Sequence, residues 1–188
     1  IWSAACSTGQ EPFSLAMAVA DHPLLASGRP VDVLATDINE EVLQKARTAR
    51  FSQLEVNRGL PAPMLVRHFE RADTDWQIVK PVRDLVSFRP LNLAQPFDLP
   101  AMDVVFLRNV LIYFDAETKA SVLRRVRRLM QPHGYLFLGG SETTLGLDDG
   151  FKRIQVGTTS AYRPVIPSRH ASNVLTSANV FSRLGAFQ

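Results

Sequence analysis

The first residues able to do chemistry stand in a tight turn, Ser7-Thr8-Gly9, with Glu11 just beyond it. A run of apolar and small residues from Ile1 to Cys6 leads in. Glu11-Pro12 then opens an apolar-periodic segment with Pro near the first helical position, where its missing N–H costs nothing. The pattern reads as strand, turn and helix N-terminus. Small side chains let a ligand reach the backbone N–H groups, and the helix end adds positive partial charge. This is not a phosphate loop: the turn holds no Lys, no Gly-Lys-Ser/Thr follows, and Glu11 stands where a phosphate would need a cation. A ligand with a positive charge and a carboxylate, but no phosphate, fits these residues. Taken alone, the turn is equally compatible with a plain structural βα connection.

Asp37 ends the next apolar run, Val31 to Ala35 with Thr36. An acidic side chain at this strand end accepts the two ribose hydroxyls in nucleotide-binding α/β folds; the alternative is a cap on the helix starting near Glu40. Asn92, Asn109 and Tyr113 also follow strands on that side, and polar residues at four strand ends around a Gly turn outline a pocket. Ser141-Glu142 follows the fifth strand as a further lining candidate. Arg124, Arg125, Arg127 and Arg128 crowd the C-terminal half of one helix and read as a solvated face complementing its dipole. Ser3, Ser7 and Ser14 suggest no nucleophile, since no Gly-x-Ser-x-Gly elbow exists here.

The elements that must position these groups alternate. A helix over 11–27 stops at Gly28-Arg29-Pro30, a strand covers 31–35, and a helix covers 39–49. A short helix is expected over 61–69. Short runs at 69–71, 76–79 and 82–85 suggest two or three antiparallel strands, a small β insert at about 69–86. Strands at 85–93, 103–107 and 135–138 follow, with a helix from Asp115 to Met130 between the last two, and 151–156 and 159–162 pair as a hairpin. Strand-helix-strand order implies a parallel sheet with right-handed crossovers. Residues 1–163 make one domain; 164–188, rich in Ser, Asn, Arg and Pro, read as a flexible C-terminal tail.

Composition narrows the function. With 188 residues and 46% hydrophobic content, one core is the default. A net charge of +3 lacks the concentrated basic stripe of a nucleic-acid binder. One cysteine, Cys6, excludes a disulfide framework and points to the cytoplasm, and the four histidines are too scattered for a metal site. No run is long enough for a membrane span and no signal peptide opens the chain. Opening inside a strand without an initiator Met, the chain reads as a fragment with its upstream portion missing.

Assembled, these stretches resemble the catalytic domain of the CheR-type chemoreceptor methyltransferases. The matching text is Trp2-Ser-Ala-Ala-Cys-Ser-Thr-Gly-Gln-Glu-Pro-Phe-Ser14, Ala35-Thr-Asp-Ile38, Phe88 with Asn92-Leu93, Arg108-Asn-Val-Leu-Ile-Tyr-Phe-Asp115 and Leu136-Phe-Leu-Gly-Gly-Ser-Glu142. The resemblance implies a Rossmann-like α/β fold, a class I S-adenosylmethionine methyltransferase with a mainly parallel seven-stranded sheet and the last strand antiparallel. It implies S-adenosyl-L-methionine as cofactor, S-adenosyl-L-homocysteine as product, and transfer of a methyl group to glutamate side chains in the cytoplasmic domain of methyl-accepting chemotaxis receptors. It assigns Ala5, Ser7, Thr8, Gly9 and Glu11 to the cofactor's methionine moiety, Asp37 to the ribose, and Asn92 and Leu93 to the adenine. Asn109 and Tyr113 fall at the transfer centre, Asn109 also touching cofactor. The family's N-terminal helical domain is absent from this text. Gln10, Phe13 and Leu107 replace the family's usual Glu, Tyr and Cys. The insert's turn, Ala72-Asp73-Thr74-Asp75, lacks the Gly-x-Gly of members that tether to a receptor pentapeptide, so docking without that tether is expected.

A glutamate acceptor, with an ordinary pKa of about 4.3, is ionised near neutrality and needs no general base. Two other readings share the residues. One is a class I methyltransferase for another acceptor, which for an amine would require a base. The other is a non-catalytic signalling module that only binds the cofactor or its product.

Overall fold

The computed structural model describes residues 1–23 and 30–165. Its strands are β1 (Trp2–Ala4), β2 (Val33–Asp37), β3 (Arg50–Phe51), β4 (Phe69–Ala72), β5 (Asp75–Ile78), β6 (Val86–Pro90), β7 (Met102–Leu107), β8 (Met130–Leu138), β9 (Phe151–Val156) and β10 (Thr159–Pro164). The helices are α1 (Gln10–Asp21), α2 (Glu40–Thr48), α3 (Gln53–Val56), α4 (Ala62–His68), α5 (Lys80–Arg83) and α6 (Ala116–Leu129), with a single 3₁₀ turn at Leu111–Tyr113.

Seven strands form one sheet in the order β6-β2-β1-β7-β8-β10-β9. Pairing is parallel from β6 through β8, and β10 runs antiparallel to both β8 and β9. This is the mainly parallel, seven-stranded sheet with a reversed last strand that the resemblance implied. The chain moves outward from β1 to β2 and β6, then returns to β7 on the other side of β1. Such a reversal opens a crevice beyond the carboxyl ends of the strands, where open α/β sheets bind ligands.

The apolar periodicities become two main cores. Val122, Leu123 and Val126 of α6 pack against Trp2, Val105 and Leu136 of the sheet. Phe13, Ala16 and Met17 of α1 join Val33 to Phe51, Phe69 and Ile78 of the small sheet. Leu123 is fully buried, so truncating it to Ala removes about 2–5 kcal/mol.

The second sheet has three antiparallel strands in the order β3-β5-β4. Its third member is Arg50–Phe51, two residues that follow the left-handed C-cap Ala49, and not the expected run at 82–85. Pro81 sits in the first turn of α5, where its fixed φ favours a helix, and Val86 already belongs to the main sheet. Pro132, His133 and Gly134, between the expected helix and the expected strand at 135–138, lie inside β8, next to a register shift between Met102 and Val104. Gly134 permits that irregularity: a Cβ there would fall 2.9 Å from the carbonyl oxygen of Asp103. Strand β10 continues to Pro164, and the Val165 N–H donates to the carbonyl oxygen of Gly150 at 2.7 Å. Residues 166–188 of the expected tail, and 24–29 of the expected first helix and its stop, lie outside the described residues. No described helix is long and apolar enough to cross a membrane.

Helix α3 begins with a complete capping box: the Glu55 N–H donates to Ser52 Oγ, and Glu55 Oε2 accepts from the Ser52 N–H at 2.9 Å. Lys45 donates to Glu55 Oε1, also at 2.9 Å. Burial acts to raise the Glu55 carboxyl, but the bonds from Lys45 and Ser52 outweigh it and hold the pKa at about 2 against an ordinary 4.5. With the folded value depressed, the stabilisation is complete above the ordinary value and is lost as pH falls toward about 2. Urea titrations between those two limits should show stability falling with pH, and Glu55→Gln should flatten that decline.

Candidate functional site

Three backbone turns converge where β1, β2 and β7 end. After β1 the chain passes through Ala5 at φ 56°, Ser7 at 50° and Gly9 at 96°, and Gly9 caps α1. Left-handed conformations of this kind cost about 1–3 kcal/mol in non-glycine residues and gather at ligand sites. The turn is tied down by Cys6, whose N–H donates to the Thr36 carbonyl at 2.9 Å, and by Gly9, whose N–H donates to the Cys6 carbonyl at 3.1 Å. Thr8 turns its hydroxyl to Gln10 Oε1 at 2.8 Å.

Asp37 closes the turn from the β2 side. Its Oδ2 accepts the Ser7 N–H at 2.9 Å and its Oδ1 the Asn39 N–H at 3.0 Å. It does not cap the next helix: Asn39 does, accepting the Glu41 N–H at 2.8 Å. The loop after β6 stands beside Asp37, because the Leu91 N–H donates to the Asp37 carbonyl at 2.9 Å. Within that loop Asn92 Oδ1 accepts the Ala94 N–H at 2.9 Å, and the Leu93 side chain is buried in the core. Leu93 therefore offers a ligand its backbone and not its side chain.

Across the reversal between β1 and β7, Glu11 Oε2 accepts from Arg108 at 3.0 Å, and Glu11 Oε1 accepts the buried Ser3 hydroxyl at 2.8 Å. Arg108 was only a piece of motif text in the sequence, and its position one residue past β7 is the signal that could have placed it here. Asn109 follows at φ 58°, exposed, with its N–H donating to Glu142. Tyr113, at the end of the 3₁₀ turn, is 79% exposed, and its hydroxyl has no hydrogen-bond partner among the described residues. Burial, aided by the nearby charge of Asp37, pushes the Cys6 thiol up to about 12, so it stays protonated and unreactive.

The sequence-derived residues are thus brought to one edge, in two groups: Ala5 to Gly9 with Asp37 and Asn92, and Glu11 through Arg108 with Asn109 and Tyr113. The arginine cluster is split. Arg125 donates to the Gln95 carbonyl and lies over the Phe97 ring, and Arg127 binds Asp148 at 2.9 Å. Two of the four expected solvated residues therefore clamp the loops that follow β6 and β8. An apolar cavity of about 450 Å³ lined by Phe13, Met17, Phe51, Val56, Met64 and Phe69 holds none of the sequence-derived site residues. Among the described residues, no three His, Cys, Asp or Glu side chains gather closely enough to hold a metal ion.

The donor set suits a cationic ligand that also carries a sugar diol. Two carboxylates, Glu11 and Asp37, flank a turn without Lys or Arg. The sheet order and its reversal define a Rossmann-like protein, and open sheets of this kind bind ligands at this edge. Residues 1–160 match the family described as CheR methyltransferase, SAM binding domain, and the chain belongs to that family. The cofactor of the matched domain is S-adenosylmethionine. Chemotaxis protein methyltransferase 1 of Pseudomonas aeruginosa is 40% identical over 168 residues, covering 87% of this chain and 61% of that protein. The chemotaxis protein methyltransferase of Escherichia coli is 42% identical over 157 residues, covering 80% of this chain and 54% of that protein. The chain therefore spans less than two thirds of the length of these relatives. The solved magnesium protoporphyrin IX methyltransferase from Synechocystis PCC 6803 is similar at a TM-score of 0.49 and 18% identity, covering 86% of this chain and 73% of that one.

A Cβ on Gly9 would stand 3.1 Å from the Ala46 Cβ and 3.3 Å from the Phe13 ring, in a left-handed backbone. Gly9→Ala should lower unfolding free energy by about 1–2 kcal/mol in urea titration and weaken S-adenosylhomocysteine binding in calorimetry.

Proposed function

We propose that the protein of which this chain is part methylates glutamate side chains on the cytoplasmic domain of chemotaxis receptors, forming methyl esters. The observation that carries this reading is the state of the ionisable groups at the crevice. Asp37 is engaged by two N–H groups, Glu11 by Ser3 and Arg108, and Glu142 by four N–H groups, while the Cys6 thiol is held protonated. No free general base stands there among the described residues, which disfavours an amine acceptor that must lose a proton. A carboxylate acceptor arrives ionised and needs none.

Bound S-adenosylmethionine supplies an electrophilic methyl group on a sulfonium sulfur. Ala5, Ser7, Thr8, Gly9 and Glu11 hold its methionine end, Asp37 its ribose, and Asn92 with the Leu93 backbone its adenine. The acceptor oxygen attacks the methyl carbon as the carbon–sulfur bond breaks, sulfur keeping the electron pair, so no proton moves. What remains for the protein is to hold the carboxylate about 3 Å from the methyl and to keep water away. Tyr113 is suited to holding the carboxylate, because its hydroxyl is uncommitted and it stands on the loop that carries Asn109.

Docking proceeds without a pentapeptide tether. The turn between β4 and β5 has Asp73 at φ 58° and is closed by Arg50, which donates to Asp73 Oδ2 at 2.9 Å and to the Ala72 carbonyl at 3.1 Å. An acidic side chain at its tip disfavours a peptide ending in a carboxylate. The relatives' names connect the family with chemotaxis, and with receptor cytoplasmic domains as acceptors the work is done in the cytoplasm.

Labelled cofactor offered to the full-length protein with receptor membranes should leave base-labile label on the receptor; base-stable label, or none, would defeat the ester reading. Tyr113→Phe should lower kcat with little change in cofactor affinity, since so exposed a ring carries no fold. Asp37→Ala should weaken cofactor binding in calorimetry, and an unaltered affinity would remove the ribose role. Titration with a receptor C-terminal pentapeptide should show no binding, and micromolar affinity would reverse the docking assignment.

A further inference from the structure

Glu142 receives more hydrogen bonds than any group proposed for binding or transfer. Its Oε2 accepts the N–H groups of Gly139 at 2.7 Å and Asn109 at 2.8 Å, and its Oε1 those of Val110 at 2.9 Å and Leu111 at 2.8 Å. Three consecutive N–H groups, 109 to 111, point at one carboxylate, and the first belongs to a residue at φ 58°. Successive backbone donors beside a left-handed residue form an anion-binding nest. Here the anion is a side chain of the chain itself, brought from the loop after β8 to the loop after β7.

We infer that Glu142 is the positioning residue of the transfer loop: it fixes Asn109 in its left-handed conformation and so sets where Tyr113 stands. The inference rests on the receptor-methylation reading for what the loop does, and on geometry for how the loop is held. Without this carboxylate the three donors face no fixed acceptor, and a left-handed asparagine has no reason to persist. Gly139 completes the arrangement from behind. A Cβ there would fall 2.6 Å from Glu142 Oε2 and 3.0 Å from the Asn109 nitrogen, so any larger residue drives the carboxylate out of the nest. Glu142 touches no reacting atom in this scheme. It acts through the backbone of residues 109–111.

The test uses the full-length protein as wild type, Glu142→Gln and Gly139→Ala. Glutamine turns an amide donor toward backbone donors and forfeits part of the set, while alanine displaces the carboxylate with its charge intact. In both variants amide hydrogen exchange should accelerate at Asn109, Val110 and Leu111 while β7 and β8 keep their protection. Single-turnover methyl transfer to receptor should drop by about 100-fold, the scale of an ångström misplacement. S-adenosylhomocysteine affinity should fall by far less than the transfer rate, because Asn109 is one cofactor contact among several and the others, Ser7, Gly9 and Asp37, do not belong to the loop that Glu142 holds. Unchanged exchange at the three amides overturns the inference, as does faster exchange with an unaltered transfer rate. Protection lost evenly across the sheet also overturns it, by making Glu142 a general stability element. A wild-type protein that labels no receptor would instead count against the ester reading alone, and the exchange measurement would still judge the clamp.

Discussion

Trp2, Ser3 and Ala4 pair in parallel with Leu34, Ala35 and Thr36 of β2 on one side and with Val105, Phe106 and Leu107 of β7 on the other. That double pairing forces the turns after β1, β2 and β7 to emerge side by side. The side chains of β1 reinforce it: the Trp2 indole N–H donates to Thr36 Oγ1 at 2.9 Å, and the buried Ser3 hydroxyl to Glu11 at 2.8 Å. A buried Trp or Ser without a partner would cost free energy, so these bonds select one register. A slip of one residue would bury the wrong faces and scatter Gly9, Asp37 and Asn109.

The crevice built on this strand handles its negative charge in two ways. Glu11 meets a cation, Arg108, whereas Asp37 and Glu142 meet backbone N–H groups. Backbone donors are fixed by the fold and bring no mobile counter-charge, so these carboxylates are acceptors in defined orientations. Asp37 in particular spends one bond on each oxygen and keeps lone pairs for a diol. The same bonds make it a brace between the turns after β1 and β2, so its loss loosens the Gly turn.

Much of this was legible because it follows from local rules. The Gly turn, the Pro in the first turn of α1 and the apolar strands announced the βα units, and Asp37, Asn92, Asn109 and Tyr113 fell at strand ends as read. What escaped depends on contacts between distant segments. Whether Asp37 or Asn39 capped α2 turned on the Ser7 N–H, thirty residues away. β3 has two residues, too few to show a period, and it took Arg50 and Phe51 pairing with Gln77 and Trp76 to make it a strand. Leu93 stood in a motif, and motifs do not reveal which atoms face the core. Glu142 was visible only as a lining candidate, because four donors from two loops cannot be read from one residue's neighbours in sequence.

The arginines of α6 show how the remaining loops are governed. Arg125 reaches the Gln95 carbonyl and covers Phe97, whose ring meets Trp2 edge-on at 5.6 Å, so the loop carrying Asn92 is pinned to the helix and to β1 together. Two residues later, Arg127 binds Asp148, which also accepts the Gly150 N–H at 2.9 Å, pinning the far end of the loop that carries Glu142. A Cβ on Gly150 would collide with the Arg127 guanidinium at 2.3 Å, so glycine is what lets that arm lie across the loop. One helix, buried through Val122, Leu123 and Val126, thus braces the two loops that follow β6 and β8. Because its apolar face is fixed in the core, the distance between those loops is set by the spacing of two side chains on a rigid rod. The loops that carry Asn92 and Glu142 are thus tied to one helix by side chains that touch neither residue.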